Sequence, residues 1–281
     1  MSKNIQLEPL TPAIGGQIHG LDLTKPLSDS DQDAVYQALL EYQVIFFRNA
    51  DISPAMHLEF AKSFGELDSP HPIYPHVDGY ENIVLLENSP DTPPDTNSWH
   101  TDLTFKQEQP FASVLIARHV PSVGGDTLWS SCYAAYDRLP DGMKKDLANL
   151  NAIHDMGDFR NSFTNARDGL SPAQRLNESV SRFGHCIRPL VGTHPVTGRK
   201  YLNFNEAFVS HIDGMTTNES SALKTWLANH MNQPEDQVRW RWTNGALAMW
   251  DNRVTMHYAV ADYLPQHRSM NRITVVRDRR A

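Results

Sequence analysis

The chain is 281 residues long, with 40% hydrophobic residues, 18 prolines and a formal net charge of −8. That balance excludes a disordered chain, and it makes nucleic acid and anionic lipid poor partners, since no block of five or more basic residues appears. An anionic ligand therefore has to be drawn by a few local arginines rather than by the global field.

The N-terminus lacks an apolar core of the signal-peptide type, and no run approaches the ~18 apolar residues of a membrane span. Ser28-Asp29-Ser30-Asp31 opens a helix with Val35, Leu39 and Tyr42 on one side, and 44–47 reads as a buried strand. Ser53-Pro54 starts a second helix carrying Met56, Phe60 and Phe64, with Gly65 as its stop. Strands follow over 83–86, 113–117 and 126–129, then helical residues over 132–149, broken near Pro140-Asp141-Gly142. The stretch 155–181 is polar and irregular, as expected of a lid or binding loop. A turn at 193–198 joins two strands, the second over 200–204, and Thr216 with Glu219 forms a capping box for a helix through Met231. Strict alternation over 238–242, then Asn244-Gly245, then 246–250 predicts a β-hairpin, and a last strand runs 268–276.

No repeat or linker divides the chain, so it reads as one domain over 1–281. Short strands dominate its second half, with helices at the front and inserted. The expected fold is mainly β with flanking helices around a jelly-roll core. Cys132 and Cys186 have neither CxxC spacing nor a partner cluster and read as reduced thiols of a cytoplasmic chain.

The chemistry concentrates in Trp99-His100-Thr101-Asp102, answered downstream by His257 and then by Arg268. Two imidazoles and one carboxylate on one side of a metal leave the other side open, the pattern of non-haem Fe(II) oxygenases. His-x-Asp alone is weak evidence, because 13 histidines produce three copies. His76-Val77-Asp78 and His211-Ile212-Asp213 are each followed by Gly and read as turns. His100 and Asp102 lie in a stretch of strand character, where residues i and i+2 share a face. A hydrogen-bonded His beside a surface Asp is the plain alternative, and a lone His such as His257 is more often structural.

Three runs carry a resemblance: W-H-T-D-L-T-F from Trp99, G-G-D-T-L-W from Gly124, and W-D-N-R-V-T-M-H-Y-A-V-A-D-Y-L-P from Trp250. With I-G-G-Q-I-H-G-L-D-L from Ile14, they resemble the taurine/2-oxoglutarate dioxygenase (TauD/TfdA) family over nearly the whole chain. The resemblance implies a double-stranded β-helix (cupin-like) core binding Fe(II) through His100, Asp102 and His257, with O2 as oxidant. It implies that Thr127 and Arg268 bind the distal carboxylate of 2-oxoglutarate, which suits a hydroxyl and a guanidinium fork. It also implies a homo-oligomer, dimer or tetramer.

Arg272 lies four residues after Arg268, so on a strand both guanidiniums enter one cavity. 2-Oxoglutarate supplies only one free carboxylate once its other end chelates iron, so the second arginine implies an anionic substrate. An exposed Arg on a bulged or edge strand is the alternative. In the family, His71 and Arg272 match sulfonate-binding positions, with Tyr74, Phe163 and Phe208 lining the site beside Ser162. The Asn that taurine enzymes carry before the Trp-His pair aligns with Thr96, while an Asn stands one place later at Asn97.

The implied reaction hydroxylates the carbon next to sulfur of taurine or a similar small alkanesulfonate. It releases sulfite and an aminoaldehyde, with succinate and CO2. Alternatives are the same chemistry on an alkyl sulfate, an aryloxyalkanoate or another organosulfonate, a zinc hydrolase using the same three ligands, and a non-catalytic jelly-roll binding module.

Overall fold

In the computed structural model of the chain, residues 5–71, 74–94, 97–156, 171, 174, 181 and 184–281 are described. Strands β1 (Gln6–Pro9) and β2 (Gly16–His19) pair antiparallel and precede helix α1 (Asp29–Tyr42). Ser28 caps α1 by accepting from the Asp31 N–H, and the helix buries Val35, Tyr36, Ala38 and Leu39. Strand β3 (Val44–Phe47) follows at once, buried at all four positions. Ser53 caps α2 (Pro54–Lys62), and β4 (Gly65–Leu67), β5 (His76–Val77) and β6 (Tyr80–Asn88) come next.

Strands β7 (Ala112–His119) and β8 (Thr127–Ser131) lead into α3 (Cys132–Asp137) and α4 (Asp141–Leu147), which part at Pro140 as the sequence predicts. Strands β9 (Asn151–His154), β10 (Cys186–Pro189), β11 (Val191–Thr193), β12 (Lys200–Leu202) and β13 (Val209–Ile212) precede α5 (Thr217–Met231). Both hydrogen bonds of the capping box between Thr216 and Glu219 form at its start. The chain ends with β14 (Gln237–Trp240), β15 (Leu247–Asp251), β16 (Thr255–Ala259) and β17 (Arg268–Asp278).

The fold is a mainly β jelly roll. Its large sheet runs β1-β2-β3-β15-β7-β17-β6-β5, with β4 added against β17. A three-stranded sheet, β14-β8-β16, lies opposite. Between them pack Val44, Phe46, Leu115, Trp129, Trp240, Trp250 and Met270, with Phe46 stacked on Trp240 at 4.1 Å. An aromatic pair of this kind contributes about 0.5–1.5 kcal/mol beyond its buried area. The far side of the large sheet is covered by α1 and α2, while α3 and α5 pack with β9, β12, β13 and Met256 of β16 in a second core. Among the described residues, no helix is long and apolar enough to cross a membrane.

Three local expectations are corrected. The Asn244-Gly245 turn does not close a hairpin: β14 pairs with β8, while β15 pairs with β3 and β7. Trp240, Trp242, Ala248 and Trp250 all belong to the inter-sheet core, so the two strands meet across the sandwich rather than edge to edge. Gly65 is not a left-handed helix stop. It opens β4, where a Cβ would stand 1.8 Å from the Arg277 carbonyl oxygen. Residues 101–105 are not a strand but a turn, with Leu103 at φ 53°. His100 alone joins a ladder, as a single antiparallel bridge to His257. The small sheet β10-β9-β13 has no counterpart in the sequence reading. Cys132 and Cys186 are free and buried. Burial pushes the Cys132 thiol well above its usual value.

Candidate metal centre and anion pocket

Two elements bring the histidines together. The His100 N–H donates to the His257 carbonyl at 3.0 Å and the His257 N–H returns a bond to the His100 carbonyl at 2.8 Å. That reciprocal bridge sets the rings 4.1 Å apart between centroids. The turn after His100 swings Asp102 back, so that Oδ1 lies 3.8 Å from His100 Nε2 and 3.9 Å from His257 Nε2. Two metal bonds of about 2 Å each span such a gap.

The donor chemistry fits a divalent ion. Burial, then the neighbouring His100, lowers the His257 pKa to about 3, so its ring stays neutral with a lone pair to give. Burial alone would raise the Asp102 carboxyl, but the Arg272 cation, helped by the Ser113 hydrogen bond, outweighs it and holds the group well below the usual carboxylate range. Among the described residues, His100, Asp102 and His257 form the one cluster of His, Cys, Asp or Glu side chains able to hold a metal.

Thr127, Arg268, Arg272 and Tyr74 line a cavity of about 400 Å³ that also reaches His100, His257, Leu115 and Trp250. Both arginines come from β17, whose register with β6 is unbroken from Arg268 to Arg272 although that with β7 shifts between Ser269 and Met270, and both enter the cavity. Arg268 is 6% exposed, and its Nε has no hydrogen-bond partner among the described residues. Desolvation lowers its pKa. A buried guanidinium of this kind suits an incoming carboxylate. Thr127 Oγ1 accepts from Trp242 Nε1 at 3.0 Å, which leaves the hydroxyl hydrogen to donate. The double glycine before it explains the G-G-D-T motif: Gly124 and Gly125 take φ +84° and +70°, and a Cβ on Gly125 would press on Arg268 at 3.2 Å.

Arg272 also has an anion the sequence reading did not count, donating from Nη1 to Asp102 Oδ1 at 3.3 Å. His71 Nδ1 accepts the Tyr74 N–H at 3.2 Å, which places the proton of the neutral ring on Nε2. Burial, then the Arg272 cation, lowers the His71 pKa to about 3. Phe208 is not on the cavity wall: it packs with Leu103, Phe105 and Met156 behind the turn that carries Asp102. Asn97 is exposed, and neither it nor the half-buried His71 lines the wall. Thr96, Ser162 and Phe163, with most of 155–181, lie outside the described residues.

The sequence reading missed Ser113, Asn252 and the indole of Trp250. Ser113 donates to Asp102 Oδ2 at 2.9 Å, and Asn252 and Trp250 stand behind it. Only the W-D-N-R motif could have flagged the last two, and it carries no role on its face.

The family described as Taurine catabolism dioxygenase TauD, TfdA matches residues 6–274. An alkylsulfatase of Acinetobacter baylyi is 36% identical over 98% of this chain and 86% of its own. An alpha-ketoglutarate-dependent sulfate ester dioxygenase of Pseudomonas putida is 34% identical over 96% and 89%. The crystal structure of a taurine dioxygenase from Burkholderia xenovorans superposes with a TM-score of 0.83 at 32% identity, covering 98% of this chain and 90% of that one.

Proposed function

The chain belongs to the TauD, TfdA dioxygenase family, and we propose that it oxidises a small sulfonate or sulfate ester with Fe(II), 2-oxoglutarate and O2. The whole of 1–281 acts as one catalytic domain in this reading. One observation carries it: two arginines of a single strand enter one cavity with His100 and His257, the two histidines that converge on Asp102. Arg268, with no partner on its Nε among the described residues, provides for a cosubstrate acid that a hydrolase does not need, and Arg272, bonded to Asp102 through Nη1, keeps an Nε likewise unpartnered there for a second anion.

His100, Asp102 and His257 hold the metal. When bound, it supplies the O2 chemistry that converts 2-oxoglutarate to succinate and CO2 and hydroxylates the substrate carbon next to sulfur or ester oxygen. Arg268 takes the distal carboxylate of 2-oxoglutarate with its fork, and Thr127 donates one more hydrogen bond. Arg272 and His71 Nε2 hold the sulfonate or sulfate oxygens, fixing which carbon is presented. Leu115 and Trp250 close the wall and keep water out. The hydroxylated carbon then loses its O–H proton and its C–S or C–O bond, releasing an aldehyde with sulfite or sulfate.

The wall favours an apolar tail. Pro75, Leu85, Leu86, Pro93, Pro94 and Val260 line it, and its one acid among the described residues, Glu87, lies 3.3 Å from His267. Alkyl sulfates and alkanesulfonates therefore suit the described wall better than the ammonium of taurine. The test is a panel of hexyl sulfate, pentanesulfonate, taurine and a phenoxyacetate, scored by O2 uptake coupled to succinate. Coupled turnover of a sulfate or sulfonate should fall about 10–100-fold in kcat/KM in Arg272→Gln, the loss of one charge-assisted hydrogen bond. 2-Oxoglutarate affinity should hold. Turnover confined to the phenoxyacetate would overturn the sulfur assignment.

A further inference from the structure

Asp102 is the triad ligand with two oxygens to offer, and the fold treats them differently. Oδ1 faces both histidines, whereas Oδ2 accepts from Ser113 Oγ at 2.9 Å. The direction of that bond is set two residues away. An indole N–H can only donate, and Trp250 Nε1 donates to Asn252 Oδ1 at 2.7 Å. The Asn252 amide is thereby oriented, and its Nδ2 donates to Ser113 Oγ at 2.9 Å. With its oxygen already accepting, the Ser113 hydroxyl turns its single hydrogen to Asp102.

We propose that the relay Trp250–Asn252–Ser113 is a positioning device that holds Asp102 to one-oxygen ligation and so keeps the remaining coordination positions open for 2-oxoglutarate and O2. The inference rests on the dioxygenase reading above. Three observations support it. All three residues are buried at 1% exposure or less, so water does not compete for the bonds. Their backbones are locked as well: Ser113 and Trp250 are register partners across β7 and β15, and the Asn252 N–H donates to the Phe111 carbonyl at 2.8 Å. The Trp250 ring also packs 5.0 Å from His257, tilted against it, so one side chain supports a histidine ligand with its ring and the carboxylate ligand through its N–H. Among the described residues, Ser113 is the only hydrogen-bond donor to Oδ2. Without it the carboxylate is left to turn both oxygens to the metal, using up an open position.

The test uses full-length protein stripped of metal and titrated with Mn(II) alone, with free ion read by EPR. Loss of a partner behind a ligand costs about 10–100-fold in metal affinity, and that loss is expected in Ser113→Ala. Ser113→Thr restores the hydroxyl and should bind within about threefold of wild type. Trp250→Phe keeps a ring beside His257 and removes the N–H, so it should also weaken Mn(II), and it carries the test if Ser113→Ala does not fold. In Co(II)-loaded Ser113→Ala, 2-oxoglutarate should change the visible absorption less than in wild type. Mn(II) binding by folded Ser113→Ala equal to wild type, or Ser113→Thr as weak as Ser113→Ala, overturns the relay. Failure of the wild type to bind Mn(II) would sink the metal assignment itself, a separate result.

Discussion

Arg268→Met separates a cation kept for a ligand from one kept for the fold. Arg268 is 6% exposed, with Tyr263 as its aromatic neighbour at 5.7 Å and no carboxylate within ion-pair distance among the described residues. Burying an unpaired charge costs several kcal/mol, and an apolar side chain of similar volume in its place is often neutral or stabilising by about 1–4 kcal/mol. Methionine fills the same space without the charge. The metal-free variant should therefore melt at or above the wild-type temperature, by about 2–4 °C for each kcal/mol gained.

The ligand side carries the opposite sign. Two charge-assisted hydrogen bonds to a carboxylate, about 1.5–3 kcal/mol each, amount to about 3–6 kcal/mol, or about 10²–10⁴ in 2-oxoglutarate affinity. The assay is thermal melting of the Mn(II)-loaded protein with and without 2-oxoglutarate. At a ligand concentration near 100 Kd, wild type gains about 2.7 kcal/mol and should rise by several degrees. The variant should not move. An equal rise in the variant, or a lower melting temperature without ligand, would refute the reasoning, because either result means the guanidinium already serves the protein itself.

His57 gives an acid-stability prediction. It is fully buried on α2, Nε2 donates to the Val114 carbonyl at 3.2 Å, and burial, then the Arg118 cation, lowers its pKa to about 3. The unfolded residue titrates near ~6.5, so between there and about 3 the unfolded chain binds a proton the folded chain refuses. Stability is unaffected above that window and falls by about 1.4 kcal/mol per pH unit on acidification through it. Urea unfolding of His57→Leu at pH 7, 6 and 5 should show a slope flatter by that amount, and an unchanged slope between pH 6 and 5 would count against it. Gly65→Ala should cost about 3 kcal/mol, the upper end of the overpacking range, because its Cβ meets backbone at 1.8 Å and not a side chain that can turn away. A melting temperature within about 2 °C of wild type would disprove this.

What was legible in the sequence was local. Ser28, Ser53 and the Thr216–Glu219 pair mark helix starts because a cap is made within three residues. The 44–47 run reads as a strand because apolar residues on both faces need cover on both faces. The triad's composition was legible as chemistry, but the expected reason for its convergence was not the real one. A strand would align His100 with Asp102, whereas a bridge to His257 and a left-handed Leu103 do the work. Partner choice was not legible either. Asn244-Gly245 has the makings of a hairpin, yet the tryptophans on both sides are buried best between the sheets. Nothing near Ser113 in sequence says that its hydroxyl will meet Asp102, because Trp250 on β15 and Asn252 in the turn after it set its direction from 130 or more residues away.

Strand β17 has a consequence for substrate length. On the proposed assignment, the cosubstrate acid and the substrate anion are both gripped from one length of backbone paired on either side by β6 and β7. Four residues of strand measure about 13 Å between Cα atoms, and a strand clamped within a sheet does not stretch. The enzyme thereby carries a fixed ruler. Extra methylenes on the far side of the reacting carbon pass outward along the wall and are tolerated, whereas one inserted between that carbon and the anion shifts the oxidised position along the chain.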